Sequence, residues 1–178
     1  VALRGVLLPA SPPLAPGAYD LALAGSSHRF KDYRSGERID HGDGMTIEEA
    51  EHQLATRLYQ NTARVHFNQL LEATGRFGKR IVYGGHVISI ARALSWNGLG
   101  NAFHIAALNG GRHVEPVFAG DTIHAWSEVV ECAVLPGRSD VGALRLRTTA
   151  VKNRTAGDCP GRLDNGYADG DVLELDYW

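Results

Sequence analysis

The sequence predicts an α+β domain in which an antiparallel sheet wraps around one long central helix at about residues 84–96. Two observations support this fold class. The stretch 81–96 is apolar over most of a helical circumference, which is typical of a helix in the middle of a fold. From about residue 103 the pattern changes to alternation, which indicates strands with one face on a core and one in water.

The bulk properties are those of an ordinary globular domain. The chain has 178 residues, of which 44% are hydrophobic and 21% are charged. A net charge of -2 argues against nucleic-acid binding, and no apolar run is long enough to predict a membrane span. The start lacks the pattern of a secretory signal and the two cysteines have no metal-ligand spacing, so we expect a cytoplasmic protein.

Prolines and a capping motif indicate the first elements of the chain. Residues 1–25 hold four of the seven prolines and are predicted to form an arm or interdomain linker, which leaves 26–178 as the domain. A first strand is predicted at 30–39. Thr46 and Glu49 have the spacing of a capping box, so a helix is expected to begin there and to run to about Tyr59.

This helix is predicted to have one apolar face, and a second helix is predicted after it. Ala50, Leu54 and Leu58 share one face, which we expect to lie on the core, and His52 is expected at the surface. A second short helix is predicted from His66 to about residue 75.

The central helix and the remaining strands come next. Asn97-Gly98 is expected to end the central helix, with Gly98 in a left-handed conformation. The predicted strands after it are 103–108, 122–129, 144–151 and 173–177.

Potential chemistry is concentrated in the stretch 59–67. It places the amide of Asn61, the cation of Arg64 and the imidazole of His66 within six positions. An imidazole can exchange protons near neutral pH. Gly84 and Gly85 precede the central helix, so their amides are either part of a turn or free to polarise a bound carbonyl group.

Three motifs carry a resemblance to a known family. The hexapeptide 61–66 resembles the Asp-x-Asn-Pro-aliphatic-His signature of the MaoC-like dehydratases, the R-specific enoyl-CoA hydratase group with the hotdog fold. Residues 84–86 resemble the glycine that begins its central helix. Residues 112–116 and 120–122 resemble its Arg, Pro and Gly-Asp-Thr motif.

Longer stretches resemble one subfamily. Residues 59–67, 83–89 and 97–104 are similar to the second half of the mesaconyl-CoA (2-methylfumaryl-CoA) hydratases, which are double-hotdog chains. The resemblance implies a hydro-lyase that interconverts mesaconyl-CoA and β-methylmalyl-CoA, a branched dicarboxylic acyl-CoA pair. It implies no cofactor beyond the CoA of the substrate, and a partner that is either a second copy or a second hotdog domain.

The resemblance also assigns roles to residues. His66 and Asn61 are the catalytic pair, and Gly84 and Gly85 form the oxyanion hole. The substrate-binding candidates are Arg64, His86, Arg112 and His113. Arg64 replaces the family proline, and a cation there suits a substrate with its own carboxylate.

Asn61 departs from the family pattern, which has an aspartate at this position. An amide orients water but does not accept its proton. Three alternatives remain: His66 is the only titrating group, a carboxylate comes from elsewhere, or this domain is a non-catalytic half that binds CoA for a sister domain. A hotdog thioesterase is a further alternative, although it requires a carboxylate that activates water at the carbonyl.

Overall fold

The structure, a computed structural model, describes residues 15–160, 163 and 166–178. Residues 1–14 of the predicted arm lie outside this range. In the described part, five strands form one antiparallel sheet in the order β1-β3-β4-β5-β2. The strands are β1 Arg38–Thr46, β2 Leu108–His113, β3 Thr122–Val134, β4 Gly142–Lys152 and β5 Asp171–Tyr177. The helices are α1 Glu49–Leu58, α2 Gln69–Glu72, α3 Gly84–Leu94 and α4 Trp96–Leu99.

Helix α3 is the central helix, and it packs into the curved sheet. Its buried residues Val87, Ile90, Ala91 and Leu94 recur at helical spacing, so they form one face. They join the inward-facing residues of β3, β4 and β5 in a single core cluster. This arrangement confirms the predicted α+β hotdog fold. Helix α3 ends at Leu94, earlier than predicted, and Gly98 has the predicted left-handed conformation, with a φ of +97°, within the short α4.

The prediction for the first strand is wrong at its start. Residues Phe30–Asp32 form a 3₁₀ turn, and β1 begins only at Arg38. The Asp32 carboxylate accepts the Arg29 N–H at 2.8 Å, so a local side-chain bond replaces a ladder bond.

The predicted capping box is also wrong. Thr46 is the last residue of β1, and its hydroxyl bonds the Thr122 hydroxyl at 2.7 Å. Helix α1 begins at Glu49 after Glu48, which makes no side-chain capping bond. The Glu49 carboxylate instead pairs with Arg80.

Helix α1 presents the opposite face from the one predicted. Leu54 and Leu58 are 57% and 67% exposed, whereas His52 is fully buried and therefore not a surface residue. The other buried side chains of this helix are Gln53, Ala55 and Thr56. The inner face of α1 is therefore largely polar.

Two further segments differ from prediction. The strand expected at 103–108 lies later, at Leu108–His113. Before this strand, the chain reaches the end of the sheet at Ala106, whose N–H donates to the Trp178 carbonyl at 2.8 Å. The helix expected from His66 is divided into a 3₁₀ turn, Arg64–His66, and α2. Asn68 separates them because its side chain caps α2 by accepting the Leu71 N–H at 3.2 Å.

The described end of the arm packs on the domain. Tyr19 stacks on Phe103 with ring centroids 5.7 Å apart, and its hydroxyl donates to Asn101 at 2.7 Å. Residues 16–18 form a 3₁₀ turn. The last part of the arm therefore lies against the segment that follows α4.

A buried polar chain crosses the sheet beneath the end of α3. His41 of β1 is fully buried, with Nδ1 2.6 Å from the Asn97 carbonyl and Nε2 2.8 Å from the Ser127 hydroxyl. A carbonyl oxygen only accepts, so Nδ1 carries the hydrogen. Neutral His41 then accepts at Nε2 from Ser127.

The other end of this chain is fixed by a group that only donates. Arg92 of α3 donates to the Tyr177 hydroxyl at 2.6 Å, and Tyr177 lies 3.0 Å from the Thr148 hydroxyl. Thr148 lies 2.7 Å from the Ser127 hydroxyl. All donors therefore point from Arg92 toward the Asn97 carbonyl, provided that His41 is neutral. Protonated His41 donates from both nitrogens, which reverses the hydroxyls until the Tyr177 oxygen accepts from both Thr148 and Arg92 and its O–H loses its acceptor in this chain.

We therefore expect the free energy of unfolding to decrease as the pH falls, over a pH range set by the pKa of His41. Burial lowers the pKa of His41 below its ordinary value of 6.5, partly opposed by the Asn97 carbonyl and by Asp40, while Arg92 lowers it further. Since the unfolded chain binds this proton more readily, the stabilisation is complete above about pH 6.5 and is lost as pH falls toward the folded pKa.

The measurement is the free energy of unfolding in denaturant between pH 7.5 and 5. One such group contributes a slope of at most about 1.4 kcal/mol per pH unit. H41Q should reduce the wild-type slope, and the matched variant H104Q, at an exposed position, should retain it. Equal slopes in wild type and H41Q would contradict the argument.

Candidate active site

His66 is held in a defined orientation by the segment before helix α3. Its Nδ1 lies 2.9 Å from the carbonyl oxygen of Ile81, and the Ile81 N–H donates to the Val65 carbonyl at 3.1 Å. Because the Ile81 oxygen only accepts, Nδ1 carries the hydrogen and the neutral ring presents Nε2 as an acceptor. The ring is therefore set to take a proton at Nε2.

Gln53 of α1 supports the same residue from its backbone side. Its Nε2 donates to the His66 carbonyl at 2.6 Å, and only 6% of the residue is exposed. The reverse orientation of the amide would place two oxygens together, so the donor assignment is fixed. Among the described residues Gln53 Oε1 has no partner.

Asn61 joins the end of α1 to the His66 turn. Its N–H donates to the Thr56 carbonyl at 3.0 Å, and its side-chain oxygen accepts the Ala63 N–H at 2.8 Å. This Asx turn occupies the acceptor of the side chain. The remaining side-chain group is the NH₂, which donates hydrogen bonds and does not accept protons.

The start of α3 offers free amides. Tyr83 precedes the helix without a side-chain capping bond, and within the described residues no acceptor binds the N–H of Gly84 or Gly85. The positive end of a helix with free N–H groups attracts a partial negative charge. A carbonyl oxygen bound here would be polarised.

Two rings cover these glycines, and they explain why both positions lack a side chain. A Cβ at Gly84 would lie 2.5 Å from Nε2 of His113. A Cβ at Gly85 would lie 2.6 Å from the Tyr83 hydroxyl, and the Tyr83 ring is 5.9 Å from the His66 ring. The His113 ring therefore lies against the helix start, and the His66 ring lies near Tyr83, the residue before it.

His113 has a perturbed acidity. Although it is partly exposed on the edge strand β2, the removal of its ring from water lowers its pKa below 6.5, and nearby His66 lowers that pKa further.

The other predicted substrate-binding residues have different surroundings. Arg64 is exposed and, in the described residues, has no carboxylate within ion-pair distance. His86 binds the Glu51 carboxylate at 3.1 Å. Arg112 lies 5.6 Å from the centre of the Tyr167 ring. Since neighbours on a strand point to opposite faces, Arg112 points away from the helix start that His113 contacts.

Sequence reasoning missed Tyr83, Gln53 and His52. Tyr83 directly precedes the glycine pair, and this position was the signal that could have identified it. His52 is fully buried, with Nε2 3.6 Å from Glu49, and burial is the main cause that lowers its pKa. No sequence signal distinguishes such a buried polar helix face from a solvated one.

The described residues contain neither a candidate metal site nor a candidate membrane span. No group of three or more His, Cys, Asp or Glu side chains could hold a metal ion. No helix has the length and apolar character needed to cross a membrane.

Comparison with known proteins identifies related chains. Residues 31–151 match the model of the MaoC like domain. The chain is 61% identical over 160 residues to the β-methylmalyl-CoA dehydratase of Chloroflexus aurantiacus, which covers 89% of this chain and 46% of that protein. It is 57% identical over 163 residues to the mesaconyl-CoA hydratase of Cereibacter sphaeroides, with 90% and 46% covered.

A solved structure is similar over nearly the whole chain. The crystal structure of a putative MaoC domain protein dehydratase from Chloroflexus aurantiacus matches with a TM-score of 0.90 and 57% identity. The match covers 96% of this chain and 50% of that one. The chain thus spans about half the length of the relatives that it matches.

We expect Gln53 to stabilise the His66 turn. Q53L removes the donor to a carbonyl on the buried side of the turn, which should cost about 1–3 kcal/mol in the free energy of unfolding. The matched variant is Q69L, because Gln69 also donates to a backbone carbonyl, Gly78, but is exposed with a bond of 3.4 Å. Q69L should stay within about 0.5 kcal/mol of wild type. Denaturant unfolding measures both, and equal effects would contradict the role of Gln53.

Proposed function

The chain belongs to the family of MaoC-like domains, and from this premise we propose that it catalyses the reversible hydration of mesaconyl-CoA to β-methylmalyl-CoA. The observation that carries the proposal is the pairing of His66, with Nε2 free, and the unoccupied amides at the start of α3. The names of two relatives at 57–61% identity support the substrate.

His66 is the base that activates water. Addition to a double bond conjugated with a thioester needs a group that takes a proton from water as oxygen attacks the β-carbon. The Nδ1–H bond to Ile81 leaves Nε2 as that group and fixes the direction of its lone pair. A positioned acid or base of this kind contributes about 10²–10⁴-fold to rate.

Gly84 and Gly85 stabilise the enolate. As water adds, charge develops on the thioester oxygen, and two free amides at a helix start bind it more strongly than they bind the neutral carbonyl. Such a donor is worth about 10²–10³-fold. The absence of Cβ atoms at both positions lets the rings of His113 and Tyr83 lie against the backbone there.

Asn61 orients the water and does not titrate. Its oxygen is occupied by the Ala63 N–H, so its NH₂ can donate to the oxygen of the attacking water. This leaves the lone pair that attacks the β-carbon free, and it leaves proton transfer to His66.

Arg64 binds the second carboxylate of the substrate. It is exposed, lies two residues from His66 in the same 3₁₀ turn, and has no acidic partner among the described residues. A guanidinium pairs with a carboxylate through two parallel bonds, which selects a dicarboxylic acyl-CoA over a plain one.

His86, Arg112 and His113 were predicted to contact the substrate. We propose that Arg112, exposed on β2, meets the phosphates of CoA. His86 supports α1 through Glu51 and lies at the edge of the site. CoA is part of the substrate, and the proposed reaction uses no other cofactor.

The proposed partner is a second hotdog domain or a second copy. The relatives are about twice as long as this chain, and residues 1–25 are proposed as the connector in a longer chain. Large apolar side chains in the stretch from α4 to β2 are solvent-exposed: Trp96, Phe103, Ile105 and Leu108. Burial of this surface and of a free strand edge favours such an assembly, which we place in the cytoplasm.

One observation favours a different function. Asn61 lacks the acidity that the family places at this position, so a non-catalytic half-domain that binds CoA for a sister domain is the second candidate. A thioesterase is not favoured, since no carboxylate accompanies His66 in its 3₁₀ turn.

We expect the purified 178-residue chain to consume mesaconyl-CoA. The loss of enoyl-thioester absorbance without release of free thiol would show hydration. H66Q should lower kcat by about 10²–10⁴-fold because it removes the proton acceptor. H28Q, at an exposed position elsewhere, is the matched control and should keep wild-type activity. Free thiol would indicate a thioesterase, and an unchanged substrate would indicate the non-catalytic half-domain.

Arg64 should determine substrate preference. R64E places a negative charge where the substrate carboxylate binds, so it should raise KM for mesaconyl-CoA by about tenfold or more and leave KM for crotonyl-CoA within about twofold, a difference of about 1.4 kcal/mol. R57E reverses the charge of another exposed arginine, in the last turn of α1, and should change neither constant. Equal effects of R64E on both substrates would remove the carboxylate role.

A further inference from the structure

We propose that His113 is the second proton-transfer group of this site, exchanging a proton with the α-carbon of the substrate while His66 serves the oxygen at the β-carbon. This inference rests on the proposed hydratase function and gives it a second titrating group.

His113 is built into the site by the sheet. It ends strand β2, where it pairs with Leu173 of β5, and the next residue, Val114, donates to the Val172 carbonyl at 2.9 Å. Its ring covers Gly84, since Nε2, Cε1 and Cδ2 lie 2.5, 2.7 and 3.1 Å from the position of a Cβ there. One edge of the imidazole therefore lies against the amides proposed to hold the thioester oxygen.

His66 reaches the same helix start from another element. Its ring lies 5.9 Å from the ring of Tyr83, the residue immediately before Gly84. The two imidazoles thus flank adjacent residues of the chain, one from a 3₁₀ turn and one from an edge strand. A thioester bound at this helix start has its α- and β-carbons within a few bond lengths of its carbonyl, so the two rings can serve different carbons.

The Glu49 and Glu51 carboxylates of α1 are paired with other side chains. Glu49 pairs with Arg80, and Glu51 binds His86 at 3.1 Å. Asn61 cannot accept a proton. A second imidazole is therefore the group on this side of the fold that can complete the acid–base pair.

The protonation states suit this division of work. Removal of its ring from water and the proximity of His66 lower the pKa of His113, which favours the neutral form that dehydration requires, whereas hydration uses the protonated form. Two adjacent imidazoles also resist double protonation, because like charges disfavour each other. A pair that carries one proton has one acid and one base.

The step balances in both directions. In dehydration, neutral His113 takes the α-proton, the C–H electrons form the C=C bond, and the C–O bond at the β-carbon breaks. The imidazolium of His66 gives its Nε2 proton to the leaving hydroxide, which departs as water. In hydration, His66 takes a proton from water, and protonated His113 delivers one to the α-carbon. The pair carries one proton before and after each step, and exchange with solvent returns that proton from one imidazole to the other.

The test uses the full 178-residue chain with mesaconyl-CoA. H113A should lower kcat by about 10²-fold or more with KM changed by less than about threefold, and added imidazole should restore activity because a free ring can occupy the space beside Gly84. H113Q, which keeps polarity without proton transfer, should show the same loss of kcat and should not respond to imidazole. H104Q is the matched control and should behave as wild type.

The pH dependence gives a second readout. Wild type should show a bell-shaped kcat profile, and residual activity of H113Q should lose one limb of it. NMR titration of the H66Q chain should show a higher pKa for His113 than in wild type, since a neighbouring charge is removed. Near-wild-type kcat in H113A, or no rescue by imidazole, would overturn the role of His113. Failure of the proposed function itself appears differently, as a wild-type chain without hydratase activity.

Discussion

The burial of helix α3 in the sheet is the constraint on which the rest of the structure depends. Val87, Ile90 and Leu94 of its inner face are removed from water, and each contributes about 1.5–3 kcal/mol relative to an exposed position. Because this packing fixes the helix along its length, it also fixes both ends. The first amides of a helix have no partner within it, so the glycine pair at its start becomes a site for negative charge. At the other end, Arg92 anchors a polar chain that reaches across four strands to β1.

Sequence reasoning succeeded where local pattern and burial agree. The strands β3, β4 and β5 alternate cleanly, and the central helix is apolar on most sides, so both kinds of element were predictable. It failed in α1, where the leucines face water and His52, Gln53 and Thr56 face inward. Apolar periodicity identifies the inner face of a helix only when the inside is apolar. Here the inside is the support of a polar turn, and Gln53 must reach the His66 carbonyl.

The candidate site also contains some residues that the sequence predicted and others that it did not. His66 and the glycine pair stand out in the sequence, since each belongs to a compact motif, although their roles came from resemblance. Their meeting depends on the Ile81 carbonyl, which no spacing rule predicts. The orientation of His113 depends on the register of β2 with β5, and this strand was predicted several residues too early. A histidine on an edge strand gives no signal of the helix that it will face.

The family pattern has an acid at the position where this chain has Asn61, and this difference changes the charge of the site. A carboxylate next to an imidazole stabilises the imidazolium, and the pair remains ionised down to about pH 4. Two imidazoles destabilise each other's charged forms, and after the removal of its ring from water the proximity of His66 is the second cause that lowers the pKa of His113. A pair built from His66 and His113 leaves no fixed negative charge beside the substrate. For a substrate that carries its own carboxylate, the absence of that charge reduces repulsion and makes the single cation of Arg64 more effective. Relative to the family pattern, Asn61 and Arg64 therefore act in the same direction: both make this segment less negative, which favours the dicarboxylic substrate that we propose.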